Sequence, residues 1–250
     1  MKKRYEFIRL DQIRLLLDYE SKSRKKYVLL SCDDGWQKNL QLVPLLEKYQ
    51  IPLLLFVATQ PIREGNFWWE TVLSGPGSLK ERAELLSQFK RYSYERFRTD
   101  LEKLKESVSL ERSALTSDQL KELAANPLIT IGAHTVSHPI LPNCPEKVQE
   151  NEIRQSKEQL EAWLGKKIIA FSYPNSSYND TTVRLVKEAG FQYAFTAKDT
   201  YLKSHQTDPF LIPRFFLNPY GGFYENRARI TGSWYWMKRI ILTIYHRDRS

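Results

Sequence analysis

Two short runs hold residues whose types and spacing could do chemistry. Ser31-Cys32-Asp33-Asp34-Gly35 places adjacent carboxylates directly after an apolar stretch, and His134-Thr135-Val136-Ser137-His138 places two imidazoles four residues apart after another. Two His and one Asp form a ligand set suited to Zn²⁺ or a similar divalent ion, with positions left open for water and substrate. The remaining Asp of the pair is then free to act as a base. That is the minimum equipment for metal-assisted hydrolysis. Neither run is decisive by itself. Asp-Asp-Gly also marks ordinary turns and helix caps, and Thr135 stands where the zincin pattern needs Glu. Their placement after apolar stretches adds weight, because adjacent buried carboxylates are costly unless a cation or hydrogen bonds compensate them.

The elements that must position these groups read as alternating strands and helices. Apolar runs of strand length fall at 27–32, 53–58, 129–133, 168–172, 193–195 and 210–212, and helical periodicity at 148–164 and 180–189. Leu40, Val43, Leu46 and Tyr49 mark one further helix face. Such alternation argues for parallel strands joined by crossover helices. Asp33 and Asp34 follow one strand, His134 a second, Tyr173 and Pro174 a third, and Arg214 a fourth. In a (β/α) barrel the carboxyl ends of the strands form the active-site face, so these residues are expected to converge. Residues 79–110 break the alternation with Leu85, Phe89, Phe97, Leu101, Leu104 and Val108 at helical spacing, an expected helical insertion. Before it, Asn66-Phe67-Trp68-Trp69 reads as exposed aromatics, and Thr116 with Gln119 reads as a capping box.

Other residues could join the site. Phe171-Ser172-Tyr173-Pro174-Asn175 is either a strand entering a turn or one wall of a sugar pocket, with Tyr173, Pro174 and Asn175 against substrate. Pro174 has no N–H, so Asn175 is the expected oxyanion donor. Arg214 is read as a partner that keeps Asp33 ionised and aimed. His205 and His246 are ordinary solvated histidines by default, His205 being also a candidate acid. Residues 1–232 are taken as one domain. Residues 233–250 form a basic amphipathic helix, in which Trp234, Met237, Ile241 and Ile244 line up beside Lys238, Arg239, Arg247 and Arg249. It is expected to pack on the domain or on an anionic membrane surface.

With 250 residues and a net charge of +9 the chain has ample material for a core, and its cations are scattered except for Arg24-Lys25-Lys26 and the C-terminal tail. No compact basic motif of a nucleic-acid reader is present, so none is expected as a partner. No apolar run is long enough to span a bilayer and no signal peptide is evident; with only Cys32 and Cys144, a reducing, cytoplasmic setting is expected.

Over residues 5–215 the chain resembles the polysaccharide deacetylases, the NodB-homology or carbohydrate esterase family 4 domain. The first family motif, Thr-Phe-Asp-Asp-Gly, is met by Ser31-Cys32-Asp33-Asp34-Gly35, and the second, His-Ser/Thr-x-x-His, by His134 to His138. The third resembles the variant Phe-x-Tyr-Pro-x-Gly, with Ser176 in place of Gly. The usual Arg of the third motif is absent, and the late Leu-His motif that supplies an acid is not recognisable. The resemblance implies an α/β fold, a distorted (β/α) barrel usually of seven strands. It also implies removal of acetyl groups, N-acetyl before O-acetyl, from a sugar of a polysaccharide or its lipid-linked precursor. By position it makes Asp34, His134 and His138 ligands of a divalent metal and Asp33 the base. Zn²⁺ is the first candidate, with Co, Ni, Mn or Fe as alternatives. The competing reading is a catalytically decayed relative that binds glycan or scaffolds polysaccharide assembly.

Overall fold

The structure, a computed structural model, describes residues 5–18, 26–198, 207–218, 221–231 and 233–234. The strands are β1 (Tyr5–Phe7), β2 (Lys26–Val28), β3 (Leu30–Cys32), β4 (Leu53–Val57), β5 (Ile129–Ala133), β6 (Ala170–Ser172), β7 (Tyr193–Thr196) and β8 (Ile212–Pro213). The helices are α1 (Arg14–Leu17), α2 (Val43–Tyr49), α3 (Thr59–Glu64), α4 (Trp68–Ser74), α5 (Leu79–Phe89), α6 (Tyr94–Lys105), α7 (Ser117–Ala125), α8 (Glu146–Leu164), α9 (Asp180–Glu188) and α10 (Phe223–Ile230).

Strands β3 to β8 pair side by side in chain order, every pair parallel, as a curled six-stranded half-barrel. Parallel neighbours in chain order place all six carboxyl ends on one edge. Strand β4 shows why the sheet is stable: all five of its residues, Leu-Leu-Leu-Phe-Val, are buried. Leu53, Leu55 and Val57 join the large core with the helices, while Leu54 and Phe56 join a second cluster with Leu10, Ile13, Leu17, Phe195 and Ile212. Both faces of the sheet are therefore covered, which accounts for the continuous apolar run.

The expected single strand at 27–32 is instead two. Ile8 N–H donates to Val28 O at 2.9 Å, and Lys26–Val28 pairs with Tyr5–Phe7 in a separate two-stranded sheet. Leu30–Cys32 alone pairs with β4. The last strand likewise falls at Ile212–Pro213, slightly later than the apolar run suggests.

The helical insertion is real and begins earlier than 79. Helices α4, α5 and α6 enclose a small core of Trp68, Val72, Phe89, Phe97 and Leu101. Ser78 caps α5 in a reciprocal box with Glu81, and Ser93 caps α6. Thr116 and Gln119 form the expected capping box of α7. Phe67 and Trp68, two of the three aromatics expected to be exposed, are buried, and the Trp68 indole N–H donates to His138 O at 2.9 Å. The insertion is thus tied to the loop that carries both imidazoles. Of the C-terminal segment, only Ser233 and Trp234 are described; Met237, Ile241, Ile244, His246 and the cations around them lie outside the described residues, as does His205. Among the described residues no helix is long and apolar enough to cross a membrane.

Candidate metal and hydrolytic site

Asp33 and Asp34 leave the end of β3, and the backbone turns sharply there. Asp34 has φ 79° and Gly35 φ 95°. A Cβ on Gly35 would lie 3.1 Å from Val57 Cγ1, so a side chain at this position would be crowded as well as strained. The turn sends the two carboxylates apart. Asp34 Oδ1 lies 3.5 Å from Nε2 of both His134 and His138, and these three side chains form the cluster able to share one ion. Asp34 Oδ2 instead accepts the Trp36 indole N–H at 2.9 Å, leaving Oδ1 to face the imidazoles.

The donor set fits a divalent ion. His134 Nδ1 is 2.6 Å from Ser172 O, a carbonyl that can only accept, so Nδ1 carries the proton and Nε2 presents its lone pair to the cluster. Burial pushes both imidazoles down to about 4, so they are neutral and ready to ligate near pH 7. Asp34 is half-buried, which raises its pKa, and His134 opposes that rise. Two neutral imidazoles and a carboxylate in a buried cluster are the ligand chemistry of Zn²⁺ and its neighbours.

The loop carrying the imidazoles is itself constrained. Thr135 has φ 67° and His138 φ 59°, a left-handed conformation that is unusual for a β-branched residue. Each such residue costs on the order of 1–3 kcal/mol and persists only where its surroundings enforce it. Here Thr135 Oγ1 accepts His138 N–H at 3.0 Å, and the start of α3 donates Thr59 N–H to Thr135 O and Gln60 N–H to Val136 O.

Asp33 is held separately. Arg214 arrives from the end of β8 and binds it in a bidentate fork, Nη1 to Oδ1 at 2.7 Å and Nη2 to Oδ2 at 2.8 Å. The guanidinium lies over the rings of Phe56 and Phe195 and also donates to Ser31 Oγ and Ser172 Oγ. Burial alone would raise the pKa of Asp33, but Arg214 and then His134 outweigh it and bring it to about 2. Asp33 Oδ2 is 3.9 Å from His134 Nε2, adjacent to the ion cluster and outside it.

Most of the segment expected to face substrate is core. Tyr173 is only 1 % exposed, its hydroxyl donates to Phe210 O, and its N–H donates to Phe195 O. Phe171 and Pro174 are buried too, so neither aromatic ring offers a face to a sugar; the sheet is covered on both sides here. Only Asn175, at φ 51° in the turn after β6, reaches the surface. The aromatic surface beside the ion cluster comes from elsewhere. Trp69 meets the His138 ring edge-on at 4.7 Å, Trp36 lies 6.1 Å from Trp69, and buried Phe67 supports both. Sequence reasoning missed Trp36, Ser31 and the bridging role of Ser172; the first two flank the carboxylate pair closely enough that position was their only signal.

Comparison with known proteins agrees with this geometry. Residues 20–194, well over half of the chain, match the family model described as polysaccharide deacetylase. A curated relative, YxkH of Bacillus subtilis (strain 168), is 22% identical over 195 residues, covering 78% of this chain and 53% of its own. The chain therefore spans about half the length of that relative. Among solved structures, the fold resembles Streptococcus pyogenes deacetylase PplD in complex with acetate (TM-score 0.63, 21% identity, 91% of this chain and 80% of that one). It also resembles IcaB from Ammonifex degensii (TM-score 0.63, 19% identity, 92% and 82%). On the strength of its motifs, its curled parallel sheet and the extent of the family match, the chain belongs to the polysaccharide deacetylase family.

Proposed function

We propose that the chain is a metal-dependent hydrolase that removes an acetyl group, N-linked in the first instance, from a sugar of a polysaccharide or its lipid-linked precursor. The observation that carries this reading is the division of labour between neighbouring carboxylates: Asp34 faces the two imidazoles, while Asp33 is turned to Arg214 and stays outside the cluster. A divalent ion held by Asp34, His134 and His138, Zn²⁺ first among the candidates, would supply a Lewis acid for the acetyl carbonyl and acidify a water.

The chain's own groups then have defined tasks. Asp33, ionised at neutral pH, takes the proton of the attacking water, and Arg214 fixes the direction in which its oxygens point. Once it has taken that proton, Asp33 can return it to the departing amine nitrogen. Exposed Asn175 is the proposed backbone donor to the developing oxyanion. Trp36 and Trp69 supply the aromatic wall for the apolar face of a pyranose ring, the part first expected of Tyr173.

Acetate release from acetylated chito-oligosaccharides, measured alongside metal content, tests the reading. Asp33→Asn should retain the ion and lose at least about a hundredfold in rate. Activity within about tenfold of wild type would refute the role of Asp33. Wild-type protein that binds the ion but releases no acetate would favour the glycan-binding alternative.

A further inference from the structure

The strained loop between the two histidines rests on a carboxylate that the reaction itself does not use. Glu152 lies in the middle of α8 on its buried face, alongside Gln149, Ile153, Ser156 and Leu160. Its Oε2 accepts Val136 N–H at 2.9 Å and Ser137 N–H at 2.8 Å, and its Oε1 accepts Ser137 Oγ at 2.6 Å. All three partners belong to the two residues directly before His138, and all three donate. A side chain only 7 % exposed is thus spent wholly on one loop turn.

From this geometry we propose that Glu152 is a positioning residue for the metal centre: it locks residues 136–137 and thereby sets where the His138 imidazole stands relative to Asp34 and His134. The inference rests on the metal-site reading above and deepens it. The loop's carbonyls are held from α3 and α4, where Thr59, Gln60 and the Trp68 indole donate to Thr135 O, Val136 O and His138 O, so Glu152 is what holds its amide side. Among the described residues Val136 N–H and Ser137 N–H have no other acceptor, whereas Thr135 and His138, in the left-handed region, would relax to ordinary backbone angles if released. Relaxation would rotate His138, whose Nδ1 has no hydrogen-bond partner among the described residues and whose ring is held by ring contacts with Trp69 and His134. His134, anchored by Ser172 O, would stay. Glu152 therefore governs the less securely held of the two imidazoles.

The test is Co²⁺ binding to the full chain, read by competition with a chromophoric chelator and by the visible absorption of bound Co²⁺, which reports ligand geometry. Glu152→Ala should weaken Co²⁺ binding about 10–100-fold and change the Co²⁺ spectrum. Glu152→Gln keeps an oxygen for the two N–H donors and should restore binding to within about fivefold of wild type. A role confined to folding would lower thermal stability while leaving affinity and spectrum unmoved. Should Glu152→Ala fail to fold, Ser137→Ala removes one of the three contacts from outside the helix and should still weaken binding measurably. Wild-type affinity and spectrum in the folded variants would overturn the clamp alone. Wild-type protein that binds no Co²⁺ would overturn the metal centre and the clamp with it.

Discussion

Replacing Arg214 with Ala should destabilise the fold by an amount that depends on pH in a way only its pairing with Asp33 explains. Both side chains are largely buried, 13% and 18% exposed, and are joined by two charge-assisted hydrogen bonds. With a folded pKa of about 2 against an unfolded value near 3.9, Asp33 contributes about 3 kcal/mol at neutral pH. This stabilisation is fully present above the unfolded pKa and is lost as pH falls through the folded one. Without Arg214 the contribution disappears, and burial beside Asp34 leaves the Asp33 carboxylate uncompensated. The expected loss is about 3–5 kcal/mol near pH 7, the range for breaking a buried pair. The sign then reverses with acid: the folded variant takes up a proton on Asp33 before its unfolded form does, so the gap to wild type narrows as pH falls below about 6. Urea unfolding of wild type, Arg214→Ala, Asp33→Asn and the double variant would measure both effects. The cycle should give a coupling of about 2–3 kcal/mol. A coupling below about 1 kcal/mol, or a loss that is the same at about pH 7 and about pH 5, would refute the pairing as the source of Asp33's ionisation.

Other consequences follow from the same geometry. Because burial holds His134 and His138 at about 4, protons should not compete with the ion until well below the usual imidazole range. A pH titration of ion affinity should stay level to about pH 5 and fall below it, and a decline starting near 6.5 would contradict this. The ion-free protein should lose stability as pH falls from about 6.5 to about 4, where the unfolded chain protonates first. Trp36→Phe deletes the indole donor to Asp34 Oδ2 and should weaken ion binding about tenfold, while Trp69→Ala should raise KM for the oligosaccharide about tenfold; unchanged values in the two assays would remove those roles. On β5, a Cβ at Gly132 would meet Phe56 Cδ1 at 2.5 Å, so Gly132→Ala should cost about 1–3 kcal/mol by thermal or urea unfolding.

What could be read from residue order and what could not divide along physical lines. Asp33, Asp34, His134 and His138 were legible because chemistry-bearing residues directly after apolar runs are unusual, and parallel strands bring such ends together. Arg214 was legible for the same reason, at the end of β8. The burial of Phe171 and Tyr173 was not legible, because they lie where the sheet is covered on both faces and an apolar run does not say which of its rings will see solvent. Trp36 and Trp69 are far apart in the chain and meet only through the packing of α4 against the turn after β3. Glu152 left only a faint trace, a carboxylate beside Ile153 on a face of α8 that also buries Gln149 and Ser156, so polarity there did not single it out. The split between β2 and β3 left none, since pairing with β1 depends on a strand whose own pattern is short.

Diffraction at the zinc absorption edge, from crystals of the full chain grown with Zn²⁺, bears most directly on the central claim. A single anomalous peak about 2.0–2.2 Å from Nε2 of His134, Nε2 of His138 and an oxygen of Asp34 is expected, with both Asp33 oxygens still on Arg214. A cluster without a peak at saturating Zn²⁺, or a peak ligated by Asp33 in place of Asp34, would contradict it.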